Sequence, residues 1–353
     1  MDNFTHGGNI HFYAKILGCH TDEVLDLSSN ISPFVGQKVF SLIKDKLDTL
    51  RLLPSPHSTF LKETLADKFN KSCENFVVGV GTSEIIKNIC LINRAKKALI
   101  IGPTYIDYEK YCNLYNLGLS FYFPDKSKNF EIKLNEIDFT NYDLAFICNP
   151  NNPTGYYIPK DEIIKSAEHF KNCIFIIDES YLPFMSDSNK ATLLFSEKEN
   201  IVVLRSFSKI YGLAGLRLGY AYSQNKHLIS EIEKHCLEWG VSSLSEAVGR
   251  YLIEMDTDEI ALKIHKIKGY VLDKLASCNK VHTYPSVTNF ILIKLDKLNS
   301  DELFNRFLSH KILIRNCHNI RGLDNSFVRI SIKELEAMKR FINIFRGIIE
   351  CDK

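Results

Sequence analysis

Four short, unbroken apolar runs constrain the fold of this chain more than any other feature: Ala98–Ile101, Leu144–Cys148, Cys173–Ile177 and Ile201–Leu204. A strand with one wet face alternates apolar and polar side chains. These runs have no polar face, as strands buried on both sides require. Helical patterns separate them, among them Ser83–Asn93 and Lys160–Phe170. Strands alternating with helices predict an α/β lobe, a mostly parallel sheet with helices on both faces.

Past residue 255 the character changes. A long amphipathic stretch over Asp256–Leu275 precedes strand-like Thr288–Leu295, Ile312–Arg315 and Phe327–Ile332. Apolar residues then recur with a helical period at Leu335, Met338, Phe341, Ile342, Phe345, Ile348 and Ile349. This tail predicts a smaller α+β lobe, and 353 residues suit two lobes. The expected division is an N-terminal arm over 1–33, a large lobe over 34–240 and a small lobe over 241–353, with no Pro/Gly/Ser linker between them.

Lys+Arg 44 against Asp+Glu 42 leaves a formal charge of +2, so the chain has no field that seeks a polyanion and no nucleic-acid partner is expected. No apolar run approaches the roughly 18–20 residues of a membrane span. The opening Met1–His6 has no basic region leading into an apolar stretch, so no secretory signal is expected. Ten cysteines include no Cys-x-x-Cys, which argues against a metal ribbon and for reduced thiols in a cytoplasmic core.

Four polar segments follow predicted strands, where open α/β sheets hold their ligands. Gly79-Val80-Gly81-Thr82-Ser83-Glu84 leads from a strand into a helix. The free N–H groups of that helix start suit a phosphate at Gly81, Thr82 and Ser83, and a simple helix cap at Ser83 is the alternative. Asn149-Pro150-Asn151-Asn152-Pro153-Thr154-Gly155 is a rigid loop, because its prolines deny helix and ladder hydrogen bonds. Its asparagines are either turn formers or partners of a bound group. Ile176-Ile177-Asp178-Glu179-Ser180-Tyr181 ends an apolar strand on two carboxylates, with Asp178 either pairing a buried cation or capping a turn. Leu204-Arg205-Ser206-Phe207-Ser208-Lys209 puts a lysine directly after a buried strand, with Arg217 beyond it. Desolvation and a neighbouring cation favour the neutral, nucleophilic amine of a Schiff-base lysine, against the alternative of a solvated turn.

One small molecule accounts for all four segments: pyridoxal 5'-phosphate. Their order and spacing resembles the aspartate-aminotransferase-like superfamily, fold type I of the pyridoxal enzymes, over essentially the whole chain. The resemblance implies that Lys209 is the Schiff-base lysine and that Asp178 keeps the pyridine nitrogen protonated. It implies that Asn152 and Tyr181 bond the phenolic oxygen, and that Tyr105 stacks on the ring. Gly81, Thr82, Ser83, Ser206, Ser208 and Arg217 would anchor the phosphate. It implies further a homodimer with its active sites at the subunit interface.

Two related families divide the chemistry, histidinol-phosphate aminotransferase and threonine-phosphate decarboxylase of cobalamin synthesis. Thr5-His6-Gly7-Gly8-Asn9-Ile10 and Leu25-Asp26-Leu27-Ser28-Ser29-Asn30-Ile31-Ser32-Pro33 resemble the decarboxylase's opening. Ile312-Leu313-Ile314-Arg315-Asn316-Cys317 and Val328-Arg329-Ile330 are similar to its paired arginines. By this resemblance His6, Gly7, Asn30, Asn152, Arg315 and Arg329 bind the phosphate and carboxylate of L-threonine O-3-phosphate or L-serine O-phosphate. Arg329 is shared with the aminotransferases and does not discriminate. A non-catalytic binding protein of the same fold is a third reading, against which the intact Lys209, Asp178 and Asn152 argue. The chain departs from its relatives at Leu53-Pro54-Ser55, where they carry Tyr-Pro-Asp, with His57 or Ser58 nearby as substitutes, and at Glu238-Trp239-Gly240-Val241-Ser242.

Overall fold

The computed structural model describes residues 6–92, 96–278 and 280–351, so Thr5 of the N-terminal motif and Asn93 of a predicted helix lie outside the described residues. Its strands are, in chain order, β1 (Leu25–Asp26), β2 (Phe76–Gly79), β3 (Lys97–Ile101), β4 (Gly118–Tyr122), β5 (Leu144–Cys148), β6 (Ile174–Asp178) and β7 (Ile201–Ser206). They continue with β8 (Gly219–Tyr222), β9 (Val281–Thr283), β10 (Phe290–Leu295), β11 (Ile312–Leu313), β12 (Arg315–Asn316) and β13 (Phe327–Ser331). A seven-stranded sheet takes the order β2-β8-β7-β6-β5-β3-β4. Neighbours from β7 across to β4 run parallel, and β8 runs against both of its neighbours.

The unbroken apolar runs sit at the middle of this sheet. Along β5 and β6, Leu144, Phe146, Ile174 and Ile176 face one core, while Ala145, Ile147, Phe175 and Ile177 face another on the opposite side. Successive side chains of a strand point to opposite faces, so a run buried on both sides must be apolar at every position.

The second region has its own antiparallel sheet, β12-β13-β10-β9. The expected strand Ile312–Arg315 divides at Ile314. Its first half pairs in parallel with β1, which brings in the N-terminal arm. Its second half pairs with β13, and there Arg315 stands directly opposite Arg329. The apolar face of the final helix, Leu335–Cys351, buries Met338, Phe341, Ile342 and Phe345 in the same core that covers one face of the large sheet. Val248 and Leu252 of the helix Ser243–Leu252 pack with Leu61 and Leu65 of the helix Thr59–Phe69, so apolar burial puts this helix with the large sheet, beyond the boundary expected at 240/241. Among the described residues, no helix is long and apolar enough to cross a membrane.

A buried cation joins the two regions. Lys268, on the helix Asp258–Ala276, is only 5% exposed. Its ammonium donates to the Ser286 and Thr288 carbonyls, both at 2.6 Å. The Val287 N–H between them donates to the Gly155 carbonyl of the Asn-Pro loop, 3.1 Å away. Burial pushes the Lys268 pKa down to about 8. In the unfolded chain it returns to about 10.4, so between these values the unfolded state binds a proton that the folded state does not. Stability therefore rises with pH across that window, as the cost of burying the charge disappears. The unfolding free energy of the wild type relative to Lys268→Met should rise by roughly 2 kcal/mol from about pH 8 to about pH 10. Urea denaturation of both proteins measures it, and a difference that does not change with pH contradicts the buried-charge assignment.

Candidate active site

Parallel strands deliver their carboxyl ends to one edge, and β5, β6 and β7 end there on Cys148, Asp178 and Ser206. The cleft at this edge is lined by Gly81, Thr82, Ser83, Tyr105, Asn152, Asp178, Tyr181, Ser206, Ser208, Lys209 and Arg217, together with Cys148 and Ser180. Every residue expected to hold the cofactor is thus brought to one place. Asp178 is 4% exposed. One of its carboxylate oxygens accepts from the Ser180 N–H at 2.9 Å and the other from the Tyr108 hydroxyl at 2.8 Å. Burial first, and then the Asp178 charge, push the Tyr108 phenol well above its ordinary range, so Tyr108 stays a neutral donor. The Lys209 ammonium lies 5.7 Å from the centre of the Tyr181 ring.

At the opposite wall the helix Thr82–Leu91 begins. Its cap is Gly81, at φ 75°, with no side-chain cap bond, so Ser83 does not cap the helix; its hydroxyl lies instead 3.5 Å from the Tyr105 hydroxyl. The first-turn N–H groups of a helix have no intrahelical acceptor and suit an anion. A Cβ on Gly81 would stand 2.8 Å from Arg217 Nη2, so a side chain at residue 81 would push the guanidinium from its place at this helix start. Arg217 itself adopts a left-handed backbone, φ 51°.

The Asn-Pro loop divides its asparagines by task. Asn149 exchanges hydrogen bonds with the backbone of Ile158, and Asn151 bonds Pro103, Thr104 and Thr154. These two are the turn formers. Asn152 alone faces the cleft, and its side-chain oxygen accepts from Arg329 Nη1.

A second pocket opens beside the cleft and shares Tyr105, Asn152, Tyr181 and Lys209 with it. Its other walls include His6, Gly7, Asn30, Arg315 and Arg329, the residues expected at the substrate. Asn30 Nδ2 donates to the Tyr181 hydroxyl at 3.2 Å, and Arg329 Nη2 donates to the Ser28 carbonyl at 2.6 Å. Arg315 Nη2 donates to Asn319 at 2.8 Å. Burial pulls both arginines below their ordinary pKa. Asp107 and Tyr108 were not expected from sequence. Asp107 Oδ1 lies 2.9 Å from His6 Nε2, and its Oδ2 accepts from the Tyr105 hydroxyl at 2.7 Å. The one signal in the sequence is an acid two residues after an aromatic, Tyr105-Ile106-Asp107, in the turn beyond a strand.

These residues fit pyridoxal phosphate. A buried carboxylate, a lysine and a helix start backed by hydroxyls and a guanidinium match its pyridine nitrogen, aldehyde and phosphate. Among the described residues two buried polar atoms beside the cleft, Asn30 Oδ1 and Arg329 Nε, have no hydrogen-bond partner, which leaves them available to a bound group. Gly81→Ala would strain a left-handed backbone by about 1–2 kcal/mol and displace Arg217, so the cofactor's Kd should rise about tenfold or more. Titration of the apoprotein with pyridoxal phosphate measures this, and an unchanged Kd would remove Gly81 and Arg217 from the phosphate cradle.

Comparison with known proteins adds the family. The model of aminotransferase class I and II matches residues 22–345. The adenosylcobalamin biosynthesis bifunctional protein CobDQ of Leptospira interrogans is 33% identical over 97% of this chain, which spans 41% of that protein's length. A protein of Caldanaerobacter subterraneus subsp. tengcongensis, provisionally named a threonine-phosphate decarboxylase, is 32% identical over 99% of the chain and 95% of its own length. The threonine-phosphate decarboxylase of Salmonella typhimurium is 26% identical over 98% and 97%. Among solved structures, the histidinol-phosphate aminotransferase of Clostridium acetobutylicum superposes with a TM-score of 0.86 at 27% identity, covering 93% of this chain and all of that one. A fold of this type around a cleft of this composition, with a family match over nearly its whole length, means that the chain belongs to the class I and II aminotransferase family of pyridoxal-phosphate proteins.

Proposed function

We propose that this protein uses pyridoxal 5'-phosphate to decarboxylate an O-phosphorylated L-amino acid, L-threonine O-3-phosphate or L-serine O-phosphate, to the amino-alcohol phosphate from which the cobalamin nucleotide-loop linker is built. One observation carries the reading. Arg315 and Arg329 are directly opposed on neighbouring strands in the pocket beside the cofactor cleft. Like charges in that register repel, and an anion between them relieves the repulsion. Phosphate and carboxylate both suit the planar fork of an arginine. The relatives named for threonine-phosphate decarboxylation, matched over nearly the whole chain, support the same choice.

When bound, the cofactor supplies an aldehyde carbon for the substrate amine and a ring that withdraws electrons from its Cα. Asp178 holds a proton at the ring nitrogen. Lys209, or a water it orients, gives a proton to the carbon that has lost the carboxylate. Arg315, His6, Gly7 and Asn30 hold the phosphate, which turns the bond to the departing carboxylate across the ring plane. Arg329 and Asn152 hold the carboxylate end. One methyl group is worth about 1–3 kcal/mol in a pocket, so the reading covers phosphothreonine and phosphoserine without ranking them. The second reading, transamination of histidinol phosphate, is favoured by the likeness to the Clostridium acetobutylicum aminotransferase.

The reading includes an arm over 1–33 that closes on the site, a large cofactor lobe over 34–240 extended by the helix Ser243–Leu252, and a small lobe after it, in a cytoplasmic, reducing setting. It also includes a homodimer. Leu47, Leu50, Leu52, Leu53, Leu237 and Trp239 are exposed, Leu53 by 78%, and a second copy of the chain would cover them.

Incubation with phosphothreonine, phosphoserine, and histidinol phosphate plus 2-oxoglutarate separates the chemistries. Carbon dioxide without glutamate is expected; glutamate from histidinol phosphate would overturn the decarboxylase. Lys209→Ala should lose both turnover and the cofactor's visible absorbance band, and retention of both would remove Lys209 from its role. Arg315→Ala should cost about 1.5–3 kcal/mol, about ten- to hundredfold in kcat/KM, with phosphothreonine, and far less with threonine. Equal losses with the two would show that Arg315 does not hold the phosphate. Sedimentation should give a dimer that Leu53→Asp weakens; a monomeric wild type would refute the assembly.

A further inference from the structure

The tip of the N-terminal arm meets the body of the protein at a buried carboxylate. Asp107 opens the helix Asp107–Leu114 and is 4% exposed. Both of its oxygens are committed, one to His6 and the other to Tyr105. These partners face different halves of the site. His6 lines the arm pocket, whereas Tyr105 lines both that pocket and the cofactor cleft. Their rings lie 5.6 Å apart, inclined at 39°. The next arm residues are tied separately, for the Gly8 N–H donates to Ser28 Oγ at 2.8 Å and that hydroxyl donates to Asp26 at 2.6 Å. His6 therefore reaches the site on a short tether whose far end is fixed.

Burial tends to neutralise Asp107, but the bonds from His6 and Tyr105 prevail and hold its carboxyl below the usual range. The start of its own helix favours the charged form as well. Tyr105 is driven the other way, above its ordinary range, by burial and then by the Asp107 charge, so its hydroxyl is the donor of their bond. Against a carboxylate, His6 Nε2 must also be a donor, which leaves Nδ1 as the ring nitrogen for a ligand.

We infer that Asp107 is a positioning residue of the active site, its carboxylate orienting His6 of the arm and Tyr105 of the cofactor cleft so that His6 Nδ1 is presented to the substrate's phosphate. The inference rests on the reading that the substrate is phosphorylated. A phosphate at Nδ1 requires a proton there too, and Asp107 is the counter-ion of the imidazolium so formed. The same residue joins occupancy of the arm pocket to the ring wall of the cofactor cleft.

Asp107→Asn keeps the size of the side chain and removes its charge. In the substrate-free holoenzyme, amide exchange in the arm peptide over residues 6–13 should accelerate about tenfold, the effect of losing one charged hydrogen bond, with exchange in the helix Leu335–Cys351 unchanged. His6→Ala leaves Asp107 in place and should accelerate the same peptide. Asp107→Asn should raise KM for phosphothreonine about tenfold with kcat altered by less than about threefold, and adding it to His6→Ala should raise KM no further. Unchanged arm exchange in both variants overturns the tether. A double variant whose losses multiply overturns the claim that Asp107 acts through His6. Normal KM in His6→Ala overturns the phosphate role of His6, and accelerated exchange in Asp107→Asn then supports the tether alone.

Discussion

Three separate parts of the chain meet at the guanidinium of Arg329. It projects from β13, bonds Asn152 of the loop after β5, and bonds the Ser28 carbonyl of the segment after β1. Its remaining Nε is buried with no hydrogen-bond partner among the described residues, and the group lies 5.4 Å over the Phe290 ring. Removing a cation from water is costly unless charge and hydrogen bonds compensate. Among the described residues its hydrogen bonds go to neutral oxygens, not to a carboxylate. With Arg315 set opposite, the joint between the two sheets is a concentration of positive charge around a pocket. An anion in that pocket would offset this charge.

The large sheet provides the other half of this constraint. Parallel strands must be joined by crossovers, so the loops leaving their carboxyl ends gather on one edge. Rigid turns then hold each loop. Asn149 and Asn151 satisfy the backbone of the Asn-Pro loop, leaving Asn152 to face the site, and Ser206 accepts from the Ser208 N–H just before Lys209. Lys268 braces the same region from outside, through the 286–288 turn that bonds Gly155. The chemistry is thus carried by few side chains, each held by neighbours with purely structural tasks.

Much of this arrangement is legible in the sequence, and the failures have physical causes. β5 and β6 can be read because burial on both faces forbids polar residues. β1 cannot, since a strand of two residues has no period to detect, and β11 and β12 are legible only as one run, without the break at Ile314. The packing of the helix Ser243–Leu252 against the large sheet is not legible, because an amphipathic stripe shows that a face is buried, not against what. Asp107 reads as an ordinary acid in a first helical turn; the histidine that gives it a task lies 101 residues earlier. Tyr108 likewise reads as one more aromatic, until its hydroxyl is found on Asp178, 70 residues away.

By itself the sequence determined the alternation of strands and helices, the polar segments at the strand ends and the residue types a pyridoxal phosphate site needs. These are properties of local periodicity and side-chain chemistry, which are written along the chain. Only the tertiary structure decided which asparagine faces the cleft, that Arg315 opposes Arg329, and that the arm is held by Asp107. Those relations depend on strand register and on packing between distant segments. A shift of one residue in register would turn Arg315 to the other face of its sheet without altering any local pattern.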